Sequence, residues 1–183
     1  MDIEREFMER ESNAKKDKKY VAIIHGVVFA CYLLLLFRVI IFKFPFAVLS
    51  EMVQNWSYDS VKQGVSSANL VPFKTIFSYA KVVKQGYAFV NLFGNIFTFL
   101  PFGFLLPLVY EKINKFWMIV LHALWLSLGI EIFQLVTQFG VFDIDDMILN
   151  TFGAILGYLL FYLLFQIHKK FTESTKKEHK KRI

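Results

Sequence analysis

Four acidic side chains are the groups in this sequence best suited to acid–base or metal chemistry. Asp143, Asp145 and Asp146 lie almost next to one another, and Glu131 precedes them within an apolar stretch. Carboxylates act as general bases, and their oxygens are the ligands that Mg²⁺ and Ca²⁺ prefer. We therefore take all four as candidate catalytic residues, and the three aspartates also as candidate ligands of a divalent cation such as Mg²⁺ or Ca²⁺.

The same acids also have a structural interpretation. Asp145 or Asp146 would cap a helix that begins there, because a negative side chain is favoured at a helix N-terminus. Glu131 inside a helix bundle can serve only as an interhelical hydrogen-bonding group. One cap needs one carboxylate, however, and adjacent carboxylates repel one another. This excess of negative charge favours a functional role.

Amide side chains follow helical spacings close to the acids. Residues three, four and seven positions apart lie on one face of a helix. Two polar faces of this kind are Asn91, Gly94, Asn95 and Thr98, and then Ser127, Glu131, Gln134 and Gln138. Amides both donate and accept hydrogen bonds. We predict that a polar ligand is bound by Asn91, Asn95, Gln134 and Asn150.

Arg38 is the one arginine between Arg10 and Arg182. Its guanidinium group can bind a phosphate or pair with an acidic side chain, so we include it among the candidate substrate-binding residues. The alternative is that it extends along the apolar surface to reach lipid headgroups.

The elements that must position these groups are membrane-spanning helices. The chain of 183 residues is 56% hydrophobic and 20% charged, and its mean hydropathy is +0.45. About 20 apolar residues cross a bilayer as a helix. Stretches of that length occupy residues 20–42, 88–110, 116–139 and 147–167. The predicted fold is an all-α integral membrane bundle of four transmembrane helices.

Lysine placement predicts the orientation in the plasma membrane. The tails 1–19 and 168–183 are charged and rich in lysine, and Lys112 and Lys115 lie between the second and third spans. Cytoplasmic loops carry this excess, so both termini are predicted to be cytoplasmic. The basic tails then meet anionic lipid headgroups, and we expect no nucleic-acid partner. The C-terminal tail is expected to be disordered.

The predicted orientation brings the polar groups to one depth. The acidic loop and the amides all fall in the outer half of the membrane, with Glu131 about 12 Å below the end of its helix. Ionisable groups at such depth are costly and usually functional. Above them, residues 71–83 mix aromatic and basic side chains, which predicts an interfacial helix between the first two spans or a loop packed on the bundle. Gly153, Ala154 and Gly157 predict close helix packing.

Six motifs, in order, resemble the VanZ-like family over about residues 69–158. They are Asn69-Leu-Val-Pro-Phe73, Asn91-Leu-Phe-Gly-Asn95, Phe99-Leu-Pro-Phe-Gly103, Glu131-Ile-Phe-Gln134, Asp143-Ile-Asp-Asp146 and Asn150-Thr-Phe-Gly153. The resemblance implies a cell-envelope role in a Gram-positive bacterium, because the founding member is associated with teicoplanin resistance. It implies no reaction. Many members carry a basic residue where this chain has none, between Gln138 and Asp143.

Two classes of function follow from these features. In the first, the chain binds or modifies a lipid-linked envelope precursor or a lipoglycopeptide at the outer leaflet. In the second, it is a non-catalytic structural or lipid-interaction protein, or a small channel- or transporter-like subunit. The sequence contains no HExxH motif and no nucleophilic Ser or Cys beside a His, so no reaction is assigned.

Overall fold

The computed structural model describes residues 2–41 and 45–181, and these ranges are almost entirely helical. The helices are α1 (Asp2–Ile41), α2 (Phe46–Gln54), α3 (Tyr58–Ser67), α4 (Lys74–Lys81), α5 (Gly86–Val109), α6 (Phe116–Thr137) and α7 (Ile144–Lys181). Within the described ranges no strand forms, and one isolated parallel bridge joins Asn69 to Asp143.

Four of these helices are long and apolar enough to cross a membrane. The candidate spans are Lys15–Ile40, Gly86–Val109, Phe116–Thr137 and Ile144–Thr175. Their mean hydropathies lie between 1.8 and 2.3. The prediction of an all-helical protein with four such spans is therefore confirmed, with ends that differ from the predicted ones by up to eight residues.

Two predictions about the connecting and terminal segments need correction. The C-terminal tail was expected to be disordered, but α7 continues as one helix to Lys181. The tail contains no Gly or Pro, and lysine and glutamate are good helix formers, so an existing helix extends through it at little cost. Between the first two spans lie three short helices instead of one. Of these, α4 falls within residues 71–83 and packs against α5 and α7; its placement at a membrane surface stays a prediction.

Glycines bring α5 and α7 into backbone contact. A Cβ on Gly103 would collide with the carbonyl oxygen of Ala154, and a Cβ on Gly157 would collide with that of Leu100. Gly153 meets the carbonyl oxygen of Ile96 in the same way. The predicted close packing of the small residues on α7 is confirmed. Without side chains between them, the two helices hold the polar residues of their facing surfaces at short range.

The apolar core occupies the half of the bundle remote from the acidic loop. Its buried members include Phe99, Phe102 and Leu106 of α5, with Ile119 of α6 and Ala154 of α7. Packing of these residues fixes the four long helices against one another. The other half of the bundle, where α5 and α7 begin and α6 ends, contains the polar residues.

Candidate functional site

Two loops that are distant in sequence pair with each other at the polar end of the bundle. The backbone N–H of Asn69 donates to the Phe142 carbonyl oxygen at 2.9 Å, and the N–H of Ile144 donates to the Asn69 carbonyl oxygen at 3.0 Å. This short pairing ties the segment before α4 to the start of α7. The acidic loop is thereby fixed over the bundle.

Asp143 is held by donors from both loops. Its Oδ1 accepts from the Asn69 side-chain amide and from the Asp145 backbone N–H, both at 2.8 Å. Its Oδ2 accepts from the Thr75 hydroxyl at 2.7 Å. The contact with Asp145 is a side-chain cap on the first turn of α7. Asp143 therefore joins α7 to the segment that carries α4.

Asp145 is fully buried, with 0% of its surface exposed. Its carboxylate accepts from the backbone N–H groups of Phe73 at 2.5 Å, Thr75 at 2.6 Å and Ile76 at 3.1 Å. These N–H groups lie at the start of α4, where they have no acceptor within the helix. Phe73 has a left-handed conformation with φ of 66°, which is uncommon for a bulky residue. The buried carboxylate thus caps α4 and favours this backbone turn.

These contacts correct two expectations. The expected cap by Asp145 is made on α4 and not on its own helix, which is capped by Asp143. The aspartates also do not fit a divalent cation, because N–H and O–H donors already occupy the carboxylates of Asp143 and Asp145. Among the residues that the structure describes, no three His, Cys, Asp or Glu side chains are grouped as metal ligands.

Glu131 is buried to 1% exposure within α6. Its Oε2 accepts from the backbone N–H of Asp143 at 2.8 Å. One turn deeper, the side-chain amide of Asn150 donates to the Ser127 hydroxyl at 2.9 Å. Both contacts join α6 to the beginning of α7. They bring the predicted polar faces of the two helices against each other.

A cavity of about 170 Å³ lies between α1, α5, α6 and α7. Its polar wall consists of Asn91, Asn95, Thr98, Glu131, Gln134, Asp146 and Asn150. Its apolar wall is formed mainly by Leu36, Val39 and Ile40 of α1 and by Val90, Phe99 and Ile130. The structure thus brings every predicted amide together with Glu131 and one aspartate. The roles assigned to these residues stay predictions.

Three predicted site residues lie outside the cavity lining. Asp143 and Asp145 make the loop contacts described above. Arg38 is exposed, and with about 3.6 residues per turn it projects away from Leu36 and Val39, which face the cavity. The structure therefore does not bring Arg38 to the amides, and its reach to lipid headgroups stays a prediction.

Two amides in the cavity lack protein partners. Gln134 is 9% exposed, and within the described ranges neither its side chain nor that of Asn95 makes a hydrogen bond to the protein. Their amide atoms are not sealed from solvent, since Thr151 Oγ1 is the one fully buried side-chain polar atom without a hydrogen-bond partner in the described part of the chain. Gln134 and Asn95 are therefore available for a ligand.

Acidic side chains set the charge that the cavity can carry. Its described lining contains two carboxylates and no Lys, Arg or His. Nearby on α4, burial raises the pKa of Tyr79, and the charges of Asp146 and Asp143 raise it further. A phosphate in the cavity would meet acidic side chains without a cation in the described lining.

Sequence reasoning missed several residues that shape the site. The apolar wall from α1 has no polar pattern, and only the tertiary packing shows which face of that helix is used. Thr98 was placed on the helical face of Asn91 and Asn95 but was not included among the ligand-binding residues. Asn69 and Thr75, which hold Asp143, gave no signal that they would meet it.

Comparison with known proteins identifies the family of this chain. Residues 29–166 match the VanZ/LLP1 family. The chain is also 32% identical over 137 residues to Protein VanZ of Enterococcus faecium, an alignment that covers 73% of this chain and 71% of the relative. No solved structure matches the chain. The matched region contains the whole cavity, and the chain belongs to the VanZ/LLP1 family.

Proposed function

We propose that this protein binds a lipid-linked component of the cell envelope in its polar cavity and thereby lowers susceptibility to lipoglycopeptides such as teicoplanin. The observation that carries the proposal is Gln134, which lines the cavity and makes no hydrogen bond in the described part of the chain. A bound headgroup would satisfy this amide and that of Asn95. Membership of the VanZ/LLP1 family supports an envelope role.

The size of the cavity selects the kind of ligand. Pockets for drug-sized molecules usually measure about 300–1,000 Å³, whereas this cavity measures about 170 Å³. A whole lipoglycopeptide does not fit. A small headgroup fits when its lipid chain stays outside the cavity. We therefore favour an envelope lipid as the ligand, with altered antibiotic susceptibility as a consequence at the cell surface.

The proposed orientation places the cavity toward the outer leaflet. Both tails and the loop between α5 and α6 carry lysines, so we assign them to the cytoplasm of a plasma-membrane protein. The starts of α5 and α7 then face outward. An envelope lipid in the outer leaflet would reach the cavity from the side that teicoplanin also meets.

Binding is favoured over catalysis by the composition of the wall. In the described lining no Ser, Cys or His is present, so the wall offers none of these groups as a nucleophile or imidazole base. Glu131 and Asp146 are the acidic groups at the cavity. If a reaction occurs, these two are the candidates for its general base.

The test is expression of the chain in a teicoplanin-susceptible Gram-positive host. Teicoplanin susceptibility and the lipid profile by mass spectrometry are measured with wild type and with Gln134→Leu. The control is Gln63→Leu, which makes the same change at an exposed position on α3. We expect wild type and the control to lower susceptibility and Gln134→Leu to fail at equal membrane abundance. Unchanged susceptibility with wild type would refute the proposal.

A further inference from the structure

A second, apolar groove adjoins the polar cavity. It measures about 280 Å³ and lies between α1 and α6. Its walls are Phe37, Ile40, Trp125, Leu126, Gly129, Ile130 and Phe133. Two of these residues, Ile40 and Ile130, also line the polar cavity. The groove and the cavity therefore adjoin at these two residues.

The polar cavity discriminates between classes of headgroup. A phosphate only accepts hydrogen bonds and would face Glu131 and Asp146 with no cation in the described lining. An ammonium could pair with Glu131 and Asp146, but it only donates, so it would leave the NH₂ groups of Gln134 and Asn95 without acceptors. A hydroxyl both donates and accepts. Several hydroxyls can satisfy the amides and donate to the carboxylates at the same time.

From the two shared residues and this hydrogen-bonding inventory, we propose that the two spaces form one site for a lipid with an uncharged, hydroxyl-rich headgroup. The headgroup occupies the polar cavity, and one acyl chain passes Ile40 and Ile130 into the groove between α1 and α6. This inference rests on the proposed function and deepens it by naming the chemical class of the lipid. A glycosyl diacylglycerol has this chemistry.

Glycines allow each half of the site to be filled separately. A Cβ on Gly129, in the apolar groove, meets nothing within 4 Å. A Cβ on Gly94, in the polar cavity, meets only Val90 at 4.0 Å. Leucine at either position can therefore project into the empty space without a backbone collision. Gly26 of α1 also has open space within 4 Å and lines neither half, so Gly26→Leu is the matched control.

The experiment measures lipid enrichment on the purified full-length protein. The protein is extracted without sugar-based detergents and placed in nanodiscs. The nanodiscs contain equal small fractions of monoglucosyl diacylglycerol, phosphatidylglycerol and phosphatidylethanolamine, all with the same acyl chains. The lipids that copurify with the protein from the nanodiscs are quantified by mass spectrometry. We expect the glucosyl lipid to be enriched about tenfold over the other two, the effect of one or two net hydrogen bonds.

The variants separate the two halves of the site. Gly94→Leu and Gly129→Leu should each abolish the enrichment, while Gly26→Leu should preserve it. Preferred binding of phosphatidylglycerol or phosphatidylethanolamine would overturn the assigned headgroup. Enrichment that survives both blocking variants would overturn the assigned location. Absence of any enrichment, together with a Gln134-dependent change in teicoplanin susceptibility, would refute this inference and leave the proposed function standing.

Discussion

The buried carboxylate of Asp145 accepts a hydrogen bond from the backbone N–H of Thr75 at 2.6 Å, across 70 positions of sequence. With its bonds to Phe73 and Ile76, it supplies the cap that α4 lacks from its own residues, since Phe73 makes no side-chain cap. Asp145 of α7 therefore helps to hold α4, together with the contacts of Asn69 and Thr75 with Asp143.

Replacing Asp145 with alanine should destabilise the protein strongly. The change leaves buried N–H donors at the start of α4 without an acceptor, and we expect the free energy of unfolding to fall by about 3 kcal/mol or more. Asp59→Ala is the control, because Asp59 is exposed in the first turn of α3 and should cost below about 1 kcal/mol. Thermal unfolding in detergent measures both. Equal melting temperatures would contradict the structural role of Asp145.

Replacing Glu131 with glutamine should separate folding from function. The glutamine oxygen can still accept from the Asp143 N–H, so we expect a loss of stability below about 1 kcal/mol. Loss of the charge should weaken headgroup binding by about tenfold. Lipid enrichment and teicoplanin susceptibility measure the effect, with Glu51→Gln on exposed α2 as the control.

The opposite result at Glu131 would also be informative. If Glu131→Gln keeps full lipid enrichment and full effect on susceptibility while Glu131→Ala loses folded protein, the carboxylate serves only to join α6 to the start of α7. The proposed binding role of Glu131 would then be wrong. The amides of the cavity would remain as the candidate binding groups.

The polar residues of the cavity were predictable because helical periodicity is a local property. Asn91 and Asn95 share a helical face with each other, as do Glu131 and Gln134, so each pair must point in one direction wherever the helix goes. In an apolar span such a face turns toward the bundle interior. Local spacing together with that rule brings the four residues to one cavity.

The roles of the aspartates were not predictable in the same way. Each of Asp143 and Asp145 meets a segment about 70 positions away, around Asn69 and Thr75. Their spacing is equally compatible with metal ligation, helix capping or a solvated loop. Only the three-dimensional path of the chain between α1 and α5 decides among these. Likewise, whether Arg38 lies near the amides depends on how α1 is rotated about its axis. The sequence of α1 around Arg38 is uniformly apolar and does not determine that rotation.

The close contact of α5 and α7 should tolerate no added methyl group at its tightest points. Gly157→Ala directs a Cβ into the Leu100 carbonyl oxygen, so we expect a loss of about 1–3 kcal/mol as the helices move apart. Gly26→Ala is the control, because its Cβ meets open space and alanine is the better helix former by about 1 kcal/mol. Thermal unfolding should therefore separate the two variants in opposite directions. A Gly157→Ala protein as stable as wild type would contradict the contact.

The proposed orientation can be tested with single cysteines in a Cys31→Ser background, since Cys31 is exposed and would itself react. Ser66 on α3 and Glu111 between α5 and α6 are both exposed and lie at opposite ends of the bundle. Lys112 and Lys115 beside Glu111 favour the cytoplasm. In intact cells a membrane-impermeant maleimide should therefore label Ser66→Cys, and it should label Glu111→Cys only after permeabilisation. The reverse pattern would place the cavity toward the cytoplasm, where teicoplanin does not meet it, and the proposed route of an outer-leaflet lipid to Gln134 would be wrong.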